Sequence, residues 1–164
     1  MGIKCASYYV VAAAQQFDHI VYSKIAEKKE ELDKISFHLR QDAILLRNLR
    51  RKTDGSKEVD LSPFSDAIAS YRKQHEEIQN SLDSELKSSF DFDKLDLKKV
   101  PLKDLEALID EVEGSKSTLE NRVQPDIMVI ETQIQLMKLL SEISKYVVQK
   151  ESELKEKMMN RAGR

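Results

Sequence analysis

The chain has 164 residues, of which 34% are charged and 40% apolar, a balance too apolar for disorder and sufficient for one core. Its 27 basic and 29 acidic residues are interspersed and leave a net charge of −2, which excludes a strong basic field for nucleic acid or anionic lipid. Four Gly and three Pro are too few for the frequent turns of an all-β fold, and no apolar run approaches the roughly 20 residues of a membrane span.

These features predict an all-α protein: a single domain, 1–164, forming an elongated antiparallel helical bundle or coiled coil of long helices. The first stretch, about 3–52, contains no Gly or Pro after Gly2 and ends at the turn signal Thr53-Asp54-Gly55-Ser56. From Ile25 a 3-4 stepping places Ile25, Lys28, Leu32, Ile35, Leu39, Asp42, Leu46 and Leu49 on one seam. Lys28 and Asp42 are its polar defects. Such a helix is about 75 Å long if straight, so the molecule is either elongated or the helix is broken.

The second stretch, about 63–88, opens with Ser62 as an N-cap and Pro63 at the first helical position. Its seam is Phe64, Ile68, Tyr71, His75, Ile78, Leu82 and Glu85, fading into a loop whose Phe90 and Phe92 are expected to plug a bundle end. A third helix, about 102–113, presents Leu102, Leu105, Leu108, Ile109 and Val112 on one face, with Gly114 offering a C-cap. The last stretch, about 115–160, has a break or kink near Pro125. Its apolar positions run from Leu119, Val123, Ile127 and Ile130 through Ile134, Met137, Leu140, Ile143 and Val147 to Leu154 and Met158.

Catalytic chemistry needs converging groups, and the sequence offers none by motif. His19, His38 and His75 have no His-Glu-x-x-His or Glu-x-x-His company. The four glycines are isolated, which leaves no phosphate loop. Nor is there a Gly-x-Ser-x-Gly elbow. No catalytic residue, metal or cofactor is expected. His75, between Tyr71 and Ile78, reads as a hydrogen-bonded bundle histidine, and a small-molecule or enzyme site near it is the alternative. Asp104, Glu106, Asp110, Glu111 and Glu113 read as a solvated helix face rather than a calcium loop. Arg47, Arg50, Arg51 and Lys52 complement the C-terminal end of the helix dipole.

The distinctive feature is Tyr8, Tyr9, Val10 and Val11 followed by Ala12, Ala13 and Ala14, apolar on every helix face. Either the far end of the last helix, around Tyr146, Val147 and Val148, covers this run internally, or Tyr8, Tyr9, Val10 and Val11 form a partner-binding or self-association patch. The lone Cys5 cannot form an internal disulfide. Together with the poor fit of the first residues to a cleaved leader, this predicts a cytoplasmic chain or one secreted without a cleaved signal peptide.

Three segments, Leu105–Ile109, Ser117–Asn121 and Ile130–Met137, resemble the short-helix-plus-long-helix ending of type III secretion needle-tip and translocator-filament proteins across residues 102–158. In overall style the chain also resembles small secreted helical proteins of chlamydial bacteria. The first resemblance implies a final helix paired antiparallel with an earlier long helix and a role in a secreted assembly. The resulting expectation is a non-enzymatic protein-interaction component, such as a type III secretion effector or secretion-associated accessory protein. Its partner is a protein or a second copy, without nucleic acid or a transmembrane segment. The rival is a homodimeric tethering or chaperone-like coiled coil.

Overall fold

The computed structural model describes residues 2–53, 57–81, 95–121 and 126–163. Four helices carry almost all of them: α1 (Gly2–Lys52), α2 (Ser65–Ser81), α3 (Leu102–Glu120) and α4 (Ile127–Ala162). The protein is an all-α helical bundle. Strand structure among the described residues is limited to β1 (Glu58–Val59) and β2 (Val100–Pro101), which pair antiparallel with Val59 opposite Val100. This short ribbon ties the α1–α2 connection to the start of α3, and Leu102 N–H donates to Lys57 O across it at 3.1 Å.

Helix α1 is unbroken, and from Ile25 onward its seam faces the core as its periodicity predicts. Leu32, Leu39, Leu46 and Leu49 are buried, with Ile25 and Ile35 packed at the margin. Of the two polar seam positions, Lys28 turns outward to Glu31 at 3.0 Å, whereas Asp42 stays buried and accepts a hydrogen bond from Ser141 Oγ. Such a polar pair inside a helix interface satisfies both partners without water.

Side-chain pairs fix the directions of the helices. Along α1, Asp33 meets Lys116, Arg40 meets Glu113 and Arg47 meets Glu106 on α3, so α1 and α3 run antiparallel. Against α4, Glu31 meets Lys138 and Asp42 meets Ser141, and beyond the end of α1 Lys57 meets Glu151. Numbers rise together along both helices, so α1 and α4 run in the same direction. Helix α2 runs antiparallel to α4, placing Phe64 edge-on to Tyr146 at a 5.2 Å centroid separation. The antiparallel pairs of the bundle are thus α1–α3, α3–α4 and α2–α4, whereas the two long helices run parallel.

Several boundaries differ from the sequence expectation. Gly114 does not cap a helix: α3 runs through it to Glu120, because Lys116 and Leu119 continue its buried face one turn further. A Cβ built on Gly114 meets nothing within 4 Å. Gly114→Ala is therefore expected to raise unfolding free energy by about 0.5–1 kcal/mol through lower unfolded-state entropy and better helix propensity, as measured by urea denaturation.

Ser62 is not an N-cap either. It stands in a 3-10 turn, Ser62–Phe64, that precedes α2, and both its N–H and its hydroxyl donate to Asp60 Oδ1. The carboxylate that holds this turn is therefore Asp60, two residues before the expected cap. Leu82, Glu85, Phe90, Phe92, Val123 and Pro125 lie outside the described residues. On the far side of Pro125, α4 opens with Asp126 as its N-cap, accepting from Met128 N–H at 3.0 Å.

Candidate functional site

The bundle is shorter than its longest helix. Helix α4 begins at Ile127 and reaches α1 near Lys28, which lies within electrostatic range of Glu131. The α1 segment before about Ile25 therefore extends past the start of α4 as an arm of roughly 35 Å, at about 1.5 Å per residue. On this arm Val10 is 68%, Val11 55% and Phe17 67% exposed, and Ile20 and Tyr22 are exposed as well.

The internal cover expected from Tyr146, Val147 and Val148 is not what the structure shows. Because α1 and α4 run parallel, those residues lie at the opposite end of the molecule, with Tyr146 against Phe64 and Val147 in the core. Among the predicted patch residues, Val10 and Val11 are thus solvent-facing, while the side chains of Tyr8 and Tyr9 lie outside the described residues.

Sequence reasoning missed a feature that the fold makes visible. Stepping back from Ile25 along the buried face of α1 reaches Val21, Phe17, Ala14 and Val10 at spacings of four and three. The exposed arm is the same seam that α4 covers further along, continued past its cover. Two consecutive four-residue steps, from Phe17 to Val21 and from Val21 to Ile25, shift the phase of the stripe where the bundle begins. At the other end Leu154 and Met158, expected as core, are exposed, since α1 has ended at Lys52 and offers no surface to cover them.

Other candidate residues are absorbed by the fold. Glu106 is only 5% exposed, not on a solvated face, and it binds Arg47 Nε at 2.6 Å and Arg50 Nη1 at 2.9 Å. Two members of the basic run are thereby committed to α3. Glu113 likewise accepts from Ser36 Oγ at 3.1 Å and pairs with Arg40. Among the described residues no group of three or more His, Cys, Asp or Glu converges as metal ligands, and no helix is long and apolar enough to cross a membrane. Comparison with family models, curated proteins and solved structures finds no match.

His75 stacks on Tyr71 at a 5.4 Å centroid separation, and its Nδ1 lies 3.0 Å from the Tyr71 hydroxyl. It is half-buried rather than fully buried. An open groove of about 450 Å³ runs along α2 past Ile68, Arg72 and Glu76, and a wholly apolar cavity of about 10 Å³ lies beneath Ile68 and Leu105. His75 lines neither of them. The small cavity has room for one water at most and no polar group to hold it.

Burial holds the His75 imidazole below its ordinary value of 6.5, with Glu76 opposing in part. The folded state therefore binds fewer protons than the unfolded state as pH falls through about 6.5, and stability declines there until the depressed folded value is passed. His75→Gln is expected to flatten this acid-side slope while leaving stability above pH 7.5 little changed, as read from urea midpoints across pH.

Proposed function

We propose that this chain is a non-enzymatic protein-interaction component whose contact element is the projecting arm of α1, about residues 2–24. The observation that carries the reading is the seam of exposed Val10, Ala14 and Phe17 with half-buried Val21, which is continuous with a buried helix interface yet has no helix over it among the described residues. A stripe of this spacing fits an amphipathic helix laid along it, the helix-in-groove mode of recognition. Exposed apolar area of this kind stabilises a complex by roughly 1.5–3 kcal/mol per large side chain buried, before ordering costs. The secretion-associated role that the resemblance of residues 102–158 implies is a narrower form of the same proposal. In this chain the final helix runs parallel to α1, so that resemblance does not supply the contact.

A photo-crosslinking residue placed at Phe17 in the producing cell tests the reading. Adducts of higher mass are expected at Phe17, fewer at the exposed Arg51 on the far end of α1, and loss of the Phe17 adducts when Val10 and Val21 are changed to Glu. Equal adduct yields at Phe17 and Arg51 would reject it.

A further inference from the structure

Resting on the reading of the arm as the contact element, we propose that the helix covering it is the arm of a second copy of this chain, laid antiparallel. The heptad of the arm carries the argument. Ile3, Val10 and Phe17 recur every seven residues at one core position, and Ser7, Ala14 and Val21 at the other. In an antiparallel pair the two positions face each other. Aligning Val10 with the partner's Ala14 also aligns Phe17 with the partner's Ser7 and Val21 with the partner's Ile3. Two of these three layers oppose a larger residue with a small one, as interdigitating helices need.

Charge fixes the same register. Lys4, Val11 and Asp18 share one flanking position, seven residues apart, and in an antiparallel pair this position faces itself. The two-fold that aligns the core layers brings Lys4 near the partner's Asp18 on both sides, with the two copies of Val11 close to the axis. A parallel pair would instead face this position with the other flanking position, held by Ala13 and Ile20, and would leave Lys4 and Asp18 without a charged partner. It would also bring two bundles to the same end of the arms, where each is several helices wide, whereas the antiparallel pair places them at opposite ends. Between Gly2 and Ser23 the arm has no other Lys, Arg, Asp or Glu, so nothing else opposes self-association. The overlap of about 28 Å, at about 1.5 Å per residue, is at the small end of stable interfaces, and dissociation constants on the order of micromolar are expected.

Sedimentation equilibrium of the purified full chain between about 1 and 200 µM should show mass doubling with concentration, and Phe17→Glu should hold the chain as a folded monomer. Lys4→Asp or Asp18→Lys alone should weaken the dimer by about threefold to tenfold at low salt, and the two changes together should restore it. With Cys5→Ser and a spin label at Lys24→Cys, the antiparallel pair gives a separation of roughly 35 Å. A parallel pair gives roughly 10 Å. A chain that stays monomeric at 200 µM, a failure of the double charge swap to restore association, or a short spin-label distance overturns the proposal. Monomeric behaviour with Phe17 adducts still formed in cells leaves the arm as a contact for a different protein. Loss of both removes the arm from function altogether.

Discussion

Leu46→Ala is expected to lower unfolding free energy by about 2–5 kcal/mol, the usual cost of emptying a fully buried leucine site, while Phe17→Ala in the monomer is expected to change it by no more than about 0.5 kcal/mol. Both residues belong to one stripe on one helix. Leu46 is 0% exposed and sits in the core formed with α3 and α4, whereas Phe17 is on the arm at 67%. The contrast measures where the bundle ends along α1. Urea unfolding of the two variants at low micromolar concentration, with the midpoint and slope both fitted, checks it. A loss at Phe17 comparable to that at Leu46 would mean that the arm folds back onto its own chain.

Much of the architecture is legible in residue spacing. The seam leucines of α1, Leu32, Leu39, Leu46 and Leu49, and the face Leu102, Leu105, Leu108, Ile109 and Val112 of α3 are buried where periodicity puts them, because a one-sided helix has only one way to hide its apolar stripe. Helix α4 was only half readable. Its predicted stripe through Ile130, Met137 and Val147 is buried, yet Leu136 and Leu139 are buried as well. A helix packed among three others needs more than one apolar face, and a single seam does not reveal how many neighbours it will have.

Helix direction was not readable at all. The pairings of Asp33 with Lys116 and Arg47 with Glu106 join residues far apart in the chain, and any of several charge ladders would have served. Direction in turn decided the fate of the candidate site. Val10 and Val11 were identifiable as an apolar excess, but whether the end of α4 reached them depended on a parallel or antiparallel α1–α4 pair. Gly114 misled for a local reason: glycine favours a helix end, and the continuing burial of Lys116 and Leu119 outweighed it.

The polar contact buried inside the α1–α4 interface among the described residues gives the sharpest test of how that parallel alignment is held. Asp42 and Ser141 are 6% and 7% exposed, and the Ser141 hydroxyl donates to Asp42 Oδ2. Asp42 occupies a seam position flanked by Leu39 and Leu46, where an apolar residue would pack without desolvation cost. Ser141→Ala is expected to destabilise by about 1–3 kcal/mol, since it strands a buried carboxyl without its donor. Asp42→Leu combined with Ser141→Ala removes both polar partners and is expected to be neutral or stabilising, giving a coupling of about 1–3 kcal/mol in the double-mutant cycle. A single buried polar pair can specify helix register at a cost in stability. The double variant should therefore gain stability while its α1–α4 amides exchange faster or its spectra show more than one alignment. If the double variant is both more stable and equally well ordered, register resides instead in the ion pairs of α1 with α3, and Asp42 is a tolerated defect in the seam.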